Sequence, residues 1–414
     1  MGIIPRFYLL RARCIKIERM VLGSENNCES GVQEKNLVRR GSQAPLAIMA
    51  DRASAVLVGQ ASGSALGVGY EFKTPPLVGT PRMLGSNSGL KPGEWSEDTQ
   101  LAICLAEVAV TGIDLTTEEG LDAVASRYLA WYQGGSHKVD SPTRVVLETT
   151  INDVSNINSA RKMRSAAAYF HRRTRRTSGS GPLCRSAILG VSRIQDPQWT
   201  AESVRAVAEL THVDPIASEA AVIYAEAIRR AVTDSLPGDE SWAERIKLGA
   251  GIGLLTPASR DRWREWLKQA EETYFKPPSD NTYAVPALQA VAGILQAVKI
   301  EHSETPLSGQ DAFRRAVSLA VQLGGDTDGI AGLVGALFAA GIGLMQVPTD
   351  LQKKLHGWPG FKVDALAEMG LGTALAGVVG AKGMARMITS NASLSDLITA
   401  HPDAQIESIT SPEP

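Results

Sequence analysis

Gly324-Gly325-Asp326-Thr327-Asp328-Gly329-Ile330-Ala331-Gly332-Leu333-Val334-Gly335-Ala336-Leu337-Phe338-Ala339-Ala340-Gly341-Ile342-Gly343-Leu344 is the stretch on which the fold turns. After Asp328 no charge appears on any face, so a helix here has no side to offer water and must be central and buried. Gly329–Val347 is about long enough to cross a bilayer. Gly and Ala dominate it, however, while Leu and Phe are sparse, and small residues suit close helix packing in a protein interior. Ahead of the run stand two glycines and Asp-x-Asp. In the first turn of a helix, the dipole and the unpaired backbone N–H groups stabilise such carboxylates. A second cluster, Ser96-Glu97-Asp98-Thr99, precedes the apolar run Leu101–Val110 in the same way. Either alone reads as an ordinary cap. Facing each other, the two would build an all-oxygen site for hard divalent cations.

Working outward, helical periodicity recurs at Met49–Leu66, Asp98–Val110, Glu118–Gln133, Thr143–Val154, Thr200–Leu210 and Pro215–Thr233. It continues at Ser241–Leu255, Arg260–Thr273, Val285–Val298, Ser308–Gln322, Ile330–Leu344 and Leu366–Met387. Runs rich in β-branched residues are short, and strands alternating with helices are missing, which argues against a doubly wound sheet. The expected fold is all-α: a single-domain orthogonal helical globule over 49–387, with its cleft at helix N-termini and long loops. Residues 1–48 read as a disordered leader or an upstream mis-start, and 388–414 as a flexible tail.

Hydrophobic content of 44% and charged content of 21% fit a soluble globular protein. A net charge of −2 argues against a general nucleic-acid binder. Arg6, Arg11, Arg13, Lys16, Glu18 and Arg19 break up the N-terminal apolar patches, so no signal-peptide core forms there. Cys14, Cys28, Cys104 and Cys184 have neither metal-ligand nor disulfide-framework spacing, and Cys104 falls in an apolar helix pattern. A cytoplasmic monomer, free of membrane and nucleic acid, is the expectation.

Other stretches carry candidate chemistry. Gly59–Gly67 is rich in small residues and leads to Glu71; it reads as a close-packing helix, or as the approach to a mobile flap holding Glu71 over a site. Ser178-Gly179-Ser180-Gly181 is a glycine-rich loop of a kind that can present successive N–H groups to phosphate. Arg161–Arg176 holds seven basic residues and no acid, which makes it a solvated face or an attractor of anions. His212 sits at a loop-to-helix junction with no His or Cys at zinc spacing. No P-loop, nucleophile elbow or dinucleotide fingerprint is present.

In order along the chain, these stretches resemble the ADP-ribosylglycohydrolase family from about Met49 to Met387. Gly59–Glu71 is similar to its opening helix and glutamate flap, and Ser96-Glu97-Asp98-Thr99 to its Thr-Asp-Asp-Thr metal motif. Gly179-Ser180-Gly181 through Arg185 resembles its loop near the pyrophosphate. Leu210-Thr211-His212 with Asp214-Pro215, Gly324–Asp328 and Leu355-His356-Gly357-Trp358-Pro359-Gly360 complete the series. The resemblance implies two divalent cations, Mg2+ or Mn2+, held by Ser96, Glu97, Asp98, Asp326 and Asp328. It implies hydrolysis of the glycosidic bond between ADP-ribose and a protein side chain or small acceptor, with Glu71, Glu97, Asp98 and Asp328 in catalysis. Ser178, Gly179, Ser180, Gly181, Arg185 and His212 would contact the substrate.

Several positions depart from the family pattern. Ser96 replaces Thr, and Glu97 replaces Asp, which moves its oxygens by about 1 Å, enough to matter in a positioned site. Gly329 stands where relatives have Thr, Ser64 where they often have Asp, and Lys138-Val139-Asp140 where they often have Asp-Ile-Gly. The alternative to a working hydrolase is therefore a catalytically weakened ADP-ribose-binding or immunity-type protein of the same fold. A structural role of the crystallin kind would not require Asp326 and Asp328.

Overall fold

In the computed structural model the described residues are 46–73, 79–135, 138–175, 177–234, 242–272 and 280–389. The leader and tail anticipated from the sequence fall largely outside them. Twelve helices of eight residues or more lie among the described residues: α1 (Leu46–Gly67), α2 (Glu97–Ala109), α3 (Glu118–Gln133), α4 (Ser141–Asn152), α5 (Ser159–Thr174), α6 (Pro197–Ala208), α7 (Pro215–Thr233), α8 (Pro257–Glu272), α9 (Ala284–Glu304), α10 (Gly309–Leu323), α11 (Thr327–Ile342) and α12 (Val363–Thr389). Among the described residues the sheet is one hairpin, β1 (His356–Gly357) with β2 (Phe361–Lys362). The all-α reading holds.

Local chemistry sets many helix starts. Asp140, Asn158, Asp196, Asp214 and Ser308 each accept a hydrogen bond from a first-turn N–H, and Pro142, Pro197 and Pro215 sit within the first two positions, where no donor is needed. The chargeless run became α11, and every one of its 16 residues is buried. Buried apolar residues form one cluster running from Met49 to Ala374. By length and composition alone, Ala284–Glu304 and Val363–Met384 would also pass as membrane spans.

The feature that positions the site is the seam between α1 and α11, which run antiparallel. Gly59, Gly63 and Gly67 lie four apart, on one face. A Cβ on Gly59 would stand 2.3 Å from Gly335 O, one on Gly63 1.8 Å from Ala331 O, and one on Gly67 2.4 Å from Thr327 O. Backbones this close admit only hydrogen at those positions. Where the seam ends, Thr327 Oγ1 donates to Gly67 O at 2.8 Å, which ties the end of α1 to the start of α11. Four residues past Gly67, the chain delivers Glu71 beside Asp326 and Asp328.

The expected helix Ser241–Leu255 is instead a short turn at Trp242–Arg245 and a 3₁₀ segment at Leu248–Leu254, with Ser241 outside the described residues. Gly249, Gly251 and Gly253 weaken helix formation there. Gly251 also presses on α7, where a Cβ would meet Ile223 Cα at 2.5 Å. The basic stretch forms α5 as far as Thr174. Ala160, Met163, Ala166 and Ala167 face inward, while Arg161 and Arg164 pair with Glu118 on the outside.

Candidate active site

Glu71, Asp326 and Asp328 each offer a carboxylate oxygen within 4.8 Å of the others. Oxygens bonded to one divalent ion at 2.0–2.6 Å fall within roughly 5 Å of each other, so the trio fits a hard cation. Asp328 is 2% exposed, and its Oδ1 is buried without a hydrogen-bond partner. A buried carboxylate oxygen left unpaired is costly unless a cation or water completes it. The turn before it is held firmly. Gly324 and Gly325 adopt positive φ (80° and 72°), the region glycine enters most readily. Asn281 donates from Nδ2 to Gly324 O at 3.0 Å and accepts from Asp326 N at 2.9 Å. Phe72 N donates to Gly325 O at 2.8 Å, so the segment carrying Glu71 is bonded to this same turn. Asp326 also caps α11, its Oδ1 accepting from Gly329 N at 3.2 Å.

The Ser96 cluster starts α2 without capping it: the Ser96 side chain makes no cap bond. Its hydroxyl pairs instead with Ser64 Oγ at 2.8 Å, and Ser64 Oγ accepts from Ser96 N at 3.0 Å. Ser64 thus fastens the start of α2 to α1. From the other side Trp95 is fully buried, its Nε1 donating to Trp358 O at 3.2 Å, and Gly357 of the β1–β2 hairpin lies against its ring. Glu97 and Asp98 stand outside the tight trio but within its field. Burial, then the charges of Glu97, Asp326, Asp328 and Asp140, push the Asp98 carboxyl well up. Burial, then Asp328 and Glu71, do the same to Asp326. Burial and the Asp328 charge push Glu97 up to about 8.

The Glu97 shift has a consequence for stability. With its folded pKa above the unfolded value of ~4.3, Glu97 binds more proton folded than unfolded between those limits. The chelated protein should therefore lose stability as pH rises from about 5 to 8. Thermal melts in chelator should show this decline, and it should be shallower in Glu97→Gln. A decline of the same slope in both proteins would contradict the assignment.

A second group lies under the glycine loop. A Cβ at Gly179 would stand 3.2 Å from His212 Nε2, and one at Gly181 would stand 2.7 Å from Asp140 Oδ2. His212 is fully buried; its Nδ1 is 2.9 Å from Thr211 Oγ1 and its Nε2 3.3 Å from Asp140 Oδ1. Arg185 is 1% exposed, stacks over Tyr128 with its Cζ 5.5 Å from the ring centre, and bonds Thr211 Oγ1, while its Nε and Nη1 lack partners. Although burial opposes it, His212 and Arg185 hold the Asp140 carboxyl well below the usual range. Within the loop, Ser180 N donates to Thr282 O at 2.9 Å and Ser178 O accepts from Ala284 N at 2.9 Å. The Ser180 N–H is therefore already engaged.

Two departures acquire a geometry. A Cβ at Gly329 would lie 2.6 Å from Asp326 Oδ2, so the glycine leaves room for the capping carboxylate. Lys138 forms an ion pair with Glu71, and although burial disfavours its charge, Asp328, Glu97 and Glu71 push its pKa up. Asn281 and Asp140 are site residues that sequence reasoning passed over as participants. For Asn281 no local signal exists; for Asp140 the sign was its place ahead of Pro142 and Thr143, as a helix cap.

The family model for ADP-ribosylglycohydrolase matches residues 45–382, and the chain belongs to that family. Membership supports hydrolysis of ADP-ribosyl linkages. The chain is 23% identical over 310 residues to ADP-ribosylarginine hydrolase Tri1 of Serratia proteamaculans (strain 568), covering 74% of this chain and 75% of that protein. It is 24% identical over 317 residues to ADP-ribosylarginine hydrolase Tri1 of Pseudomonas putida (strain GB-1), covering 74% of each. Among solved structures, an ADP-ribosylglycohydrolase-related protein complex superposes with a TM-score of 0.57 at 25% identity, covering 80% of this chain and 99% of the other.

Proposed function

We propose that this protein is a divalent-metal-dependent hydrolase that removes ADP-ribose from a modified arginine side chain. The observation that carries the reading is the convergence of Glu71, Asp326 and Asp328, with Asp328 Oδ1 buried and unpaired. The relatives named above supply the choice of arginine as acceptor and of an N-glycosidic bond as the one cut. Magnesium or manganese would be held by Glu71, Asp326 and Asp328, with Asp98, Glu97 and Ser96 completing the centre. A divalent cation there supplies Lewis-acid orientation of vicinal ribose hydroxyls and a more acidic water.

The chain's own groups do the rest. Positive charge develops on the anomeric carbon as the bond to the acceptor breaks, and the surrounding carboxylates stabilise it electrostatically. The Ser178–Gly181 loop would meet the anionic part of the nucleotide, with Arg185 and His212 buried beside it. Asp140, 3.3 Å from His212 Nε2, orients the imidazole.

ADP-ribose release from arginine-linked and serine-linked small substrates, with Mg2+ or Mn2+ and again after chelation, tests this. The arginine-linked compound should be cleaved at least ~100-fold faster, and chelation should abolish the reaction. Faster serine cleavage would overturn the acceptor assignment. Chelator-resistant turnover would overturn the metal. One observation favours a second reading, the weakened ADP-ribose binder: Lys138 puts a fixed positive charge against Glu71. Binding of ADP-ribose with no turnover of any ADP-ribosyl substrate would decide for it.

A further inference from the structure

We propose that Lys138 is a built-in cation of the acidic centre, and that its ammonium competes with a divalent ion for Glu71. The inference rests on the metal-centre reading above. The Lys138 ammonium bonds Glu71 Oε2, and Glu71 is one of the three carboxylates that converge. Although burial disfavours its charge, the nearby carboxylates Asp328, Glu97 and Glu71 favour the ammonium. Two residues on, Asp140 caps α4 through Thr143 N at 2.9 Å and faces His212 at 3.3 Å, so the chain just after Lys138 is anchored.

A lysine ammonium is a compact point charge with three donors and takes the same oxygen ligands as a hard cation. Glu71 thus exchanges partners: Lys138 in the metal-free protein, a divalent ion in the loaded one. A metal position that uses Glu71 is then weaker than one that does not. Two unit charges a few ångströms apart interact strongly even at an intermediate dielectric, so removing the ammonium should tighten that weaker position by at least about tenfold.

The test is a Mn2+ titration read from the paramagnetic resonance signal of the free ion, using intact wild type, Lys138→Met, Lys138→Arg and Asp326→Ala. Thermal melts of each in chelator establish that it is folded. Wild type should show two classes of site at least about tenfold apart. Lys138→Met should bring the weaker class close to the tighter one, and Lys138→Arg should keep the gap. Mn2+ uptake by Lys138→Met alone, with none by wild type, would show the ammonium blocking the whole centre and would overturn the reading of wild type as a metal-loaded hydrolase. Identical isotherms for wild type and Lys138→Met, with binding lost in Asp326→Ala, would overturn the role of Lys138 and leave the metal centre standing. No uptake by wild type or by Lys138→Met would overturn both.

Discussion

Replacing Asp328 with Asn should slow release of ADP-ribose at least ~100-fold, the size of loss that follows removal of a stabilising group from an active site. The exchange keeps size and shape but removes a charge from the most enclosed carboxylate of the centre. Asp328 has no alternative partner for Oδ1, and the turn before it is bonded to Asn281 and to the backbone of Phe72. Neither the helix nor the turn depends on its charge, since Asp326 supplies the cap of α11. Affinity for ADP-ribose should fall much less, because Arg185, His212 and the Ser178–Gly181 loop are untouched. Turnover rates and calorimetric ADP-ribose binding, measured on the same preparation, separate the two effects. A loss under about tenfold in rate, or equal losses in rate and affinity, would remove Asp328 from the chemistry.

The second large effect is on folding. Gly63→Val should destabilise the protein by at least about 3 kcal/mol, the upper end of what overpacking costs, because the clash is with backbone that cannot step aside. Its Cβ alone would fall 1.8 Å from Ala331 O. Opening the α1–α11 seam also withdraws Glu71 from Asp326 and Asp328, so metal uptake should drop with stability. Gly253→Ala is the matched control, since its Cβ meets nothing within 4 Å. Denaturant unfolding should show the first variant far less stable and the second within about 0.5 kcal/mol of wild type. Equal stability of Gly63→Val and wild type would mean that the two helices are not in contact there.

What could be read from the chain beforehand followed from periodicity and from charge placed against it. A run with no charged face has one fate in a globule, and Thr327–Ile342 met it. Small residues four apart at Gly59, Gly63 and Gly67 announced a close helix contact, though not that α11 would be its partner. Glu118–Gln133 and Pro215–Thr233 were readable to the residue, because each begins at a capping side chain followed by a compatible first turn. The start of the first helix was placed at Met49 where the structure has Leu46, a difference of the kind helix ends routinely show.

What was hidden depends on contacts between distant residues. Asn281 reaches Asp326 across 45 positions, and no pattern around Asp280-Asn281-Thr282 foretells it. Lys138 looked like a simple departure from Asp-Ile-Gly until Glu71 was found beside it. Glycines at 249, 251 and 253 were read through as helix, yet Gly251 answers to the backbone of Ile223 in another helix. Ser64 likewise appeared to be the loss of an acid, whereas in the structure it fastens Ser96.

The claim on which the rest depends is that the acids at the start of α11 hold a divalent cation. Calorimetric titration of Mg2+ or Mn2+ into chelator-treated wild type and Asp326→Ala tests it most directly. Wild type should give saturable heat from tight binding, and Asp326→Ala should give only the heat of dilution. Equal uptake by the two proteins would place the metal elsewhere and contradict the account.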